Sequence, residues 1–334
     1  MIAKVAVIGA GAWGTALAVV LARLGRDVSI APRDPAFATT LAADRENHRY
    51  LPGVLLPQNL EINAQLDAVK GATMVVMAIP SRFAREAFAP VAAKLTPAQI
   101  IVSATKGIEQ HSLLTMTQML QQLAPANPAV ALSGPGFAAE IASAKPAALV
   151  AASNFQEAAR QVQESFSGPA LRVYRSTDVT GVEIAGASKN VIAIAAGIAD
   201  GLDLGSSARA ALVTRGLAEI GRLSSALGAR YQTIAGLAGL GDLVLTCTGD
   251  LSRNRGVGLR IGRGEKAQRI LANAAKSGEA VAEGLGNTQS LLALSAQHQV
   301  EVPIIRSVYR VLYEDQDPRT MVTALMTREL KAEF

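Results

Sequence analysis

Short apolar runs rich in β-branched residues alternate with helical periods through the first half of the chain. The runs cover residues 4–9, 27–31, 74–80, 100–107, 129–134 and 147–153, with 171–176 as a candidate last strand. Strands that alternate with helices predict a mostly parallel sheet with helices on both faces. We therefore expect a doubly wound α/β arrangement in this half.

After about residue 178 the strand pattern stops, and the spacing of apolar residues predicts helices only. We expect these helices at about 181–200, 207–228, 253–263, 280–298, 302–313 and 318–330. The change of pattern predicts two domains, an α/β domain over residues 1–180 and an all-helical domain over residues 181–334. Ligand clefts commonly form between such halves, so the first of these helices is a candidate wall of one.

That helix contains a lysine in an otherwise apolar segment. Within GASKNVIAIAAG, residues 186–197, Lys189 is the only ionisable side chain, and residues 184–199 contain no other. Burying an ammonium group costs hydration that few protein interiors replace. Either the lysine stem reaches water from one edge of the helix, or Lys189 has a chemical function.

Composition narrows the kinds of partner. The 334 residues are 50% hydrophobic and 18% charged, which is enough apolar material for large cores, while aromatic residues make up only 4%. Nucleic-acid binding is not expected, because few rings are available for stacking on bases. The net charge of +5 is modest and the basic residues are scattered, so the charge favours at most small anions such as phosphates.

The sequence also bears on compartment and cofactor type. Its single cysteine, Cys247, excludes an internal disulfide, and its three histidines show no metal-ligand spacing. The first residues lack the long apolar region of a signal peptide, and no run of about eighteen apolar residues occurs in the sequence. We therefore expect a cytoplasmic protein without a metal or a membrane span.

A glycine-rich motif follows the first predicted strand. Residues 9–14, GAGAWG, match the pattern G-x-G-x-x-G between the strand KVAVI and a helical period. In this context Gly9 supplies a tight turn, Gly11 lets the backbone approach a pyrophosphate, and Gly14 lets helix and strand pack. The pyrophosphate would lie at the helix N-terminus, where free N–H groups attract an anion. A glycine-rich turn without a ligand is the alternative.

The end of the second predicted strand bears on the type of dinucleotide. An acidic residue at this place binds the ribose diol of NAD, whereas an arginine accommodates the 2′-phosphate of NADP. Arg33 and Asp34 stand side by side here. Arg33 slightly favours NADPH, Asp34 leaves NADH open, and a solvated loop pair without a ligand is a third interpretation.

Nine sequence blocks in a fixed order carry a resemblance to a known family. They are GAGAWGTALA (9–18), NHRYLPG (47–53), SATKGIE (103–109), LSGPGFAAE (132–140), GASKNVIAIAAGIADGL (186–202), ARAALVTRGLAEI (208–220), GLAGLGDLVLTCTG (236–249), LSRNRGVG (251–258) and VAEG (281–284). Together they closely resemble the bacterial NAD(P)-dependent glycerol-3-phosphate dehydrogenases. The resemblance runs from the first strand to VPIIRSVYRVLYED near the C-terminus.

The resemblance implies an activity and an architecture. Members of this family transfer a hydride reversibly between NAD(P)H and dihydroxyacetone phosphate, and the sn-glycerol 3-phosphate formed supplies phospholipid synthesis. They have a Rossmann-like N-terminal domain and an all-helical C-terminal domain like that of 6-phosphogluconate dehydrogenase. We accordingly expect NADP or NAD as cofactor and a small-molecule substrate, and the alanine-rich helices favour a homodimer.

The resemblance also implies roles for three charged residues. Lys189, in the SKN block, matches the catalytic acid/base, which protonates the carbonyl oxygen as negative charge develops there. Burial beside a second cation would lower the pKa of its ammonium toward neutrality. Lys106 matches a residue that contacts cofactor and substrate, and Asp242 matches a substrate-side carboxylate that accepts hydrogen bonds from Lys189 or a substrate hydroxyl. Without the family, Lys106 is an exposed loop lysine and Asp242 a helix N-terminal aspartate.

Further residues match the ligand-binding positions of the family. Ser252, Arg253 and Asn254 match the substrate phosphate site, where a hydroxyl, a guanidinium and free backbone N–H groups can hold an anion. A helix cap is the simpler interpretation of SRN. The other matches comprise substrate contacts at Gly134 and Gly136 and cofactor contacts at Ala12, Trp13, Lys106, Ala138, Arg253, Val281 and Glu283. Trp13 alone is equally compatible with packing.

Four positions depart from the usual family pattern. Gly136 stands where family members usually carry Ser, and this removes a hydroxyl that would meet the substrate. Ser188 replaces a Leu next to Lys189, and Ser206 and Ser207 replace Asp and Asn. None of these changes removes a group assigned to proton or hydride transfer.

Two other functions stay open at this point. A β-hydroxyacid dehydrogenase relative would share both domains and the Lys-Asn pair but would select a carboxylate, and the SRN and LSGPGFA blocks argue against it. A non-catalytic NADP sensor would bind the cofactor without turnover, but it would leave Lys106, Lys189 and Asp242 unexplained.

Overall fold

An eight-stranded sheet forms the centre of the N-terminal half. The computed structural model describes residues 4–63, 65–276 and 282–327, with residues 329 and 332. The strands are β1 Lys4–Ile8, β2 Asp27–Ala31, β3 Glu46–Asn47, β4 Leu51–Leu55, β5 Leu60–Ile62, β6 Met74–Met77, β7 Ile100–Ser103, β8 Ala129–Ser133, β9 Ala147–Ala152 and β10 Leu171–Ser176. The order across the sheet is β10, β9, β8, β7, β6, β1, β2, β5, while β3 and β4 form a separate hairpin. Every neighbouring pair in the large sheet except β8 and β9 is parallel, which confirms the predicted mostly parallel sheet.

Helices cover both faces of this sheet. They are α1 Ala12–Arg23, α2 Pro35–Asp44, α3 Gln65–Ala68, α4 Ala84–Ala92, α5 Met116–Leu123, α6 Ala138–Ala142 and α7 Gln156–Phe166. The central strand β1 shows why its sequence is apolar throughout. Val5 and Val7 belong to the core on one face, and Ala6 and Ile8 belong to the core on the other. Because both faces are buried, the strand needs no polar alternation.

The antiparallel pairing of β8 with β9 departs from the rest of the sheet. The connection between these strands contains only α6, a helix of five residues. Such a helix spans about 7 Å, less than half the length of about 16 Å of a five-residue strand, so it does not return the chain to the opposite end of the sheet. The eleven residues of α7 do return it, and β9 and β10 are parallel.

Some short strands are missing from the sequence-based prediction. The hairpin of β3 and β4 and the edge strand β5 carry little signal, because β5 has three residues and β4, LPGVL, contains Pro and Gly.

After β10 the described residues contain helices and no strand. The helices are α8 Val179–Gly201, α9 Gly205–Ala226, α10 Tyr231–Ile234, α11 Asp242–Thr248, α12 Arg253–Gly262, α13 Ala267–Lys276, α14 Gly284–Gln297, α15 Pro303–Tyr313 and α16 Pro318–Met326, and a π-helical turn covers Leu237–Gly241. The all-helical C-terminal half is therefore confirmed. The first residues of the predicted helix 280–298 and part of 318–330 lie outside the described residues. The boundary at residue 180 stays a prediction; β10 ends at Ser176 and α8 begins at Val179.

Helix α8 lies at the centre of the helical half. Every residue from Gly181 to Ala199 is buried. By length and composition α8 could cross a membrane, and its apolar window is 100% buried inside the protein. The described residues hold one further candidate, the pair Tyr231–Thr248 and Arg253–Gly262, which is bent by 47°. Packing on all sides accounts for the apolar sequence of α8.

Helices α8 and α12 cross backbone to backbone. A Cβ at Gly197 would lie 2.0 Å from the carbonyl oxygen of Arg255, and a Cβ at Gly258 would lie 2.0 Å from the carbonyl oxygen of Ile194. Only glycine permits so close an approach. The crossing places the first turn of α12 beside the middle of α8.

Candidate active site

The carboxyl ends of the central strands form one wall of the candidate site. Lys106 lies in the loop after β7, at the edge where open parallel sheets bind ligands. Its Nζ donates a hydrogen bond of 2.9 Å to the carbonyl oxygen of Gly134, in the loop after β8. The same nitrogen lies 5.7 Å from the ring centre of Trp13, a cation–π contact. The side chain of this loop lysine is 14% exposed, so Lys106 is held by its neighbours and not free in solvent.

A single carboxylate joins Lys106 to Lys189. Asp242 Oδ2 accepts from Lys106 Nζ at 2.6 Å, and Asp242 Oδ1 accepts from Lys189 Nζ at 2.5 Å. The Asp242 side chain is 0% exposed and that of Lys189 is 8% exposed. Lys189 therefore does not extend its ammonium to water. We call these three residues the lysine cluster.

Thr246 belongs to the same hydrogen-bonded group, and sequence reasoning misses it. Its Oγ1 accepts from Lys189 Nζ at 2.6 Å and donates to the carbonyl oxygen of Asp242 at 2.7 Å. Because α11 begins at Asp242, Thr246 lies one helical turn further on the same face. The spacing of four residues in DLVLT is the sequence signal that points to it.

Burial lowers the pKa of the Lys189 ammonium to about 8. The negative charge of Asp242 opposes this shift, and the positive charge of Lys106 adds to it. A proton donor works best when its pKa lies near the working pH. The lysine cluster therefore gives Lys189 a pKa suited to proton transfer.

Ser252, Arg253 and Asn254 lie at the start of α12, next to α8. Ser252 is the helix N-cap, with its Oγ accepting from a backbone N–H of the first turn at 3.2 Å. Asn254 Nδ2 donates to Asn190 Oδ1 at 2.9 Å, and its Oδ1 accepts from Gly284 N at 2.9 Å. Both side chains are buried. Arg253 is exposed and forms no hydrogen bond within the described part of the chain.

Arg255, the second arginine of the sequence SRNR, is held in ion pairs within the described residues, unlike Arg253. Arg255 Nε donates to Asp200 Oδ2 at 2.8 Å, and its Nη1 donates to Asp250 Oδ1 at 2.9 Å. Asp200 also forms an ion pair of 2.9 Å with Arg209. These pairs hold α12 to α8 and α9. In this segment Arg253 is therefore the guanidinium that is available to a ligand.

The glycine-rich loop has the geometry of an anion-binding turn. Gly9 has a φ of +109°, and a Cβ at Gly14 would lie 2.0 Å from the carbonyl oxygen of Gly9. At Gly11 no atom of the described residues lies within 4 Å of a Cβ position, so protein packing does not explain this glycine. The N-terminus of α1 has no side-chain cap. The open space and the free N–H groups fit the pyrophosphate of a dinucleotide.

Trp13 carries an unpaired polar group beside this loop. Ala12 and Trp13 open α1, and Ala138 opens α6, which packs against α1. The indole Nε1 of Trp13 is buried and has no hydrogen-bond partner among the residues described. A buried donor without an acceptor costs free energy, and an acceptor on a ligand would remove that cost. Trp13 thus fits a ligand-binding role better than packing alone.

Two glycines follow β8. Gly134 has a φ of +129°, and a Cβ there would lie 3.0 Å from Leu149 Cα. A Cβ at Gly136 would lie 2.5 Å from Ile141 Cδ1 and 3.4 Å from the Trp13 ring. The side chain of Ile141 thus occupies the space that a serine at 136 would need.

Arg33 and Asp34 have different surroundings. Asp34 is the N-cap of α2, with Oδ1 accepting from Ala36 N at 3.0 Å. Arg33 is exposed and makes no hydrogen bond to another described residue. The carboxylate is engaged by the helix, whereas the guanidinium is available.

Glu283 lies just before α14 and faces the cations of the site. Burial raises the pKa of its carboxyl to about 7, and the charges of Arg253, Lys106 and Lys189 oppose the shift. Val281, the other matched residue of this segment, lies outside the described residues.

The three serines that depart from the family pattern lie in two environments. Ser188 is fully buried, and its Oγ has no hydrogen-bond partner in the described ranges. Ser206 and Ser207 are exposed in the first turn of α9.

The only cysteine, Cys247, is buried, and burial raises the pKa of its thiol to about 12. Across the described residues no three His, Cys, Asp or Glu side chains form a potential metal site.

Two family models match this chain. The model of the NAD-dependent glycerol-3-phosphate dehydrogenase N-terminus matches residues 4–159, and the model of the C-terminus of the same family matches residues 178–323. Together they cover both halves of the fold and every described element of the candidate site.

Relatives of known name match over the full length. Glycerol-3-phosphate dehydrogenase (NAD(P)+) of Citrifermentans bemidjiense is 48% identical over 337 residues, which cover 100% of this chain and 99% of that protein. The protein of the same name from Geobacter metallireducens is 49% identical over 336 residues, covering 99% and 98%. The crystal structure of glycerol-3-phosphate dehydrogenase from Coxiella burnetii has a TM-score of 0.92 at 39% identity, covering 97% of this chain and 98% of that chain.

Proposed function

The chain belongs to the NAD-dependent glycerol-3-phosphate dehydrogenase family, and on this premise we propose that it interconverts dihydroxyacetone phosphate and sn-glycerol 3-phosphate. A nicotinamide cofactor, NAD or NADP, supplies the hydride for ketone reduction when bound. The observation that carries the proposal is the lysine cluster, two ammonium groups on one buried carboxylate at the ligand-binding edge of the sheet. In the cell, ketone reduction would supply glycerol 3-phosphate for phospholipid synthesis.

Lys189 is the proton donor for ketone reduction in this proposal. An ammonium has three N–H groups, of which Asp242 Oδ1 and Thr246 Oγ1 accept two. One N–H is left for the carbonyl oxygen of the substrate. In the reverse direction the neutral amine accepts the proton of the substrate hydroxyl.

Lys106 stabilises negative charge on the same substrate oxygen. Gly134 O and Asp242 Oδ2 accept two of its three N–H groups, which leaves the third for the substrate. A fixed cation in a largely buried site stabilises a developing oxyanion more than it would in water. Asp242 holds both ammonium groups in place through its two carboxylate oxygens.

Arg253 binds the substrate phosphate in this proposal. A guanidinium holds phosphate with two parallel, charge-assisted hydrogen bonds. Ser252 and Asn254 fix the first turn of α12. The backbone N–H groups of this turn that Ser252 does not cap would bind the same anion. A carboxylate substrate would use fewer of these donors, so the arrangement favours a phosphorylated ketone.

The cofactor fits the glycine-rich loop. Gly9, Gly11 and Gly14 shape the turn, Ala12, Trp13 and Ala138 border it, and Val281 and Glu283 are the further contacts that the family match suggests. NADPH is the preferred form in this proposal, because Arg33 is free while Asp34 caps α2.

Arg33→Ser tests the cofactor preference. It is expected to raise KM for NADPH by about tenfold or more and to leave KM for NADH within about threefold, because one charge-assisted phosphate contact is lost. Equal kcat/KM for NADPH and NADH in the unmodified protein would contradict the proposal that Arg33 binds the 2′-phosphate of NADPH.

One assay tests the function against its alternatives. Absorbance of NADPH and NADH is followed with dihydroxyacetone phosphate and then with carboxylate analogues, for the unmodified protein and for Lys189→Ala. Turnover of the phosphate but not of the carboxylates supports the proposal, and the reverse preference would support a β-hydroxyacid dehydrogenase. Cofactor binding without any turnover would support a sensor.

We further propose a cytoplasmic homodimer. The buried lone thiol of Cys247 suits a reducing compartment, and the alanine-rich helices of the C-terminal half favour a homodimer. Light scattering after size-exclusion chromatography decides the oligomeric state, and a mass of one chain would remove the dimer.

A further inference from the structure

Asn287 connects the two lysine-bearing segments from a third element. It lies in the first turn of α14 and is 0% exposed. Its Nδ2 donates to the carbonyl oxygen of Lys106 at 3.1 Å and to the carbonyl oxygen of Ala187 at 3.3 Å. Ala187 lies in α8, just before Lys189. One carboxamide therefore bonds the backbone of both segments.

Asn287 supplies the hydrogen bond to the backbone carbonyl of Lys106. The carbonyl of Lys106 accepts no other hydrogen bond from the residues that the structure describes. The next bond from α14 to the loop, from Ser290 Oγ to the carbonyl oxygen of Ile108, is 3.4 Å long. Asn287 thus makes the shorter hydrogen bond to the loop, and it also hydrogen-bonds the backbone of α8.

The chemistry of this position favours an amide. Both partners are acceptors, so the NH₂ group must face them, and an aspartate would repel them. The remaining atom, Asn287 Oδ1, is buried and has no hydrogen-bond partner among the described residues. An unpaired buried acceptor costs free energy, but without the amide the carbonyl of Lys106 would lose its donor, so the hydrogen bonds of the NH₂ group offset that cost.

We propose that Asn287 is a positioning residue for the proton-transfer step, which fixes the spacing of the Lys106 and Lys189 ammonium groups on Asp242. The inference rests on the proposed function of the lysine cluster. Asn287 contacts neither ammonium and acts through the two backbone carbonyls that it holds. A shift of about 1 Å between groups at such a site costs about 100-fold in rate.

Asn287→Leu tests the proposal, because leucine keeps the branched shape of four side-chain heavy atoms and removes both donors. We expect kcat/KM for dihydroxyacetone phosphate to fall by about 10- to 100-fold. Thr288→Val is the matched control: Thr288 is equally buried, but its Oγ1 donates to Gly284 O of its own helix, at 2.6 Å, and to no other described residue. The control is expected to stay within about threefold of the unmodified protein. If Asn287→Leu does not fold, Asn287→Ser, which is too short to reach both carbonyls, replaces it.

A double-mutant cycle separates positioning from general destabilisation. In a Lys106→Met background the spacing of the two ammonium groups no longer exists, so Asn287→Leu is expected to lower kcat/KM by less than about threefold. An equal loss in both backgrounds would overturn the proposal, as would an unchanged rate in the single variant. Absence of any turnover in the unmodified protein would instead overturn the proposed function.

A titration without ligands gives a readout independent of turnover. The charged or titratable groups that act on Lys189 are Asp242 and Lys106, with Glu283 and Cys247 in electrostatic range. Because the charge of Lys106 lowers the pKa of Lys189, release of the loop in Asn287→Leu is expected to raise that pKa above about 8, as followed by NMR of the lysine side chains. An unchanged pKa would contradict the positioning role.

Discussion

The candidate site has two parts that differ: the lysine cluster, which we call the lysine end, and the first turn of α12 with Arg253, which we call the α12 end. At the lysine end each charged group faces a charged partner. At the α12 end the guanidinium has no hydrogen-bonded partner among the described residues. Asp242 bonds both ammonium groups in a buried cluster. Ser252 and Asn254 are also engaged, but Arg253 is exposed and available. The hydrogen bonds of the lysine end are made within the chain, whereas in the proposed function the substrate phosphate completes the α12 end.

In the proposed mechanism the two groups of residues have different tasks. The groups proposed to move a proton are fixed in advance, so that little has to reorganise when charge develops on the substrate. Arg253, the proposed ligand of the phosphate, keeps its charge where water can solvate it. Substitutions at the lysine end should therefore change stability and kcat, and substitutions at the α12 end should change mainly KM.

The largest effect is expected for Asp242→Asn. Loss of the shared carboxylate leaves two largely buried ammonium groups without a counter-charge, and removing one partner of a buried pair costs about 3 to 5 kcal/mol. We expect the free energy of unfolding to fall by about that amount in urea denaturation. Asp250→Asn is the control, because the Asp250 side chain is 97% exposed in its pair with Arg255. Equal stability loss in the two variants would contradict the comparison.

A smaller effect, and one on KM alone, is expected for Arg253→Ala. A hydrogen bond to a charged group contributes about 1.5 to 3 kcal/mol, which corresponds to a rise of about 10- to 100-fold in KM for dihydroxyacetone phosphate. Stability and kcat should change little, because Arg253 has no hydrogen bond to lose in the described structure. Arg263→Ala, at the other end of α12, should leave the kinetics unchanged. A fall in kcat with constant KM would show that Arg253 belongs to the lysine end.

The backbone contact between α8 and α12 links the lysine end of the site to the α12 end. Two glycines of α12 allow this contact to be tested. Gly258→Ala puts a Cβ 2.0 Å from the carbonyl oxygen of Ile194, so α12 must move away from α8, at a cost of about 1 to 3 kcal/mol. Gly256→Ala meets no described atom within 4 Å and should stabilise the helix by about 0.5 to 1 kcal/mol. Opposite signs of the change in Tm are expected. The same sign in both variants would contradict a backbone contact that holds the ends together.

The sequence predicts the parts of this molecule that depend on local pattern. The strand KVAVI is predicted by its apolar run. The glycine loop is predicted because only glycine fits the positive φ at position 9 and the close contact at position 14. The unusual place of Lys189 is visible because a lysine in an apolar helix costs free energy. No spacing in the sequence associates Lys189 with Lys106 and Asp242. That association comes from the family resemblance alone.

Other features depend on contacts between distant residues and escape sequence reasoning. SRNR offers two arginines, and only the folded chain shows that Asp200 engages Arg255, whereas Arg253 has no hydrogen bond to the residues described. Asn287 lies in an ordinary helical stretch, and its importance follows from two carbonyls that are far away in sequence. The direction of β9 follows from the short span of α6, a length that the apolar pattern does not reveal.

The pH dependence of kcat/KM tests the central claim, that the buried Lys189 ammonium is the proton donor, because kcat/KM reports the groups of the ligand-free protein. For reduction of dihydroxyacetone phosphate we expect kcat/KM to fall as the pH rises through about 8, because the donor loses its proton, and for oxidation of glycerol 3-phosphate we expect kcat/KM to rise through the same pH. Lys189→Ala should lose about 10²- to 10⁴-fold in kcat/KM together with this pH dependence. A pH-independent kcat/KM in the unmodified protein, or the same pH dependence in Lys189→Ala, would contradict the account.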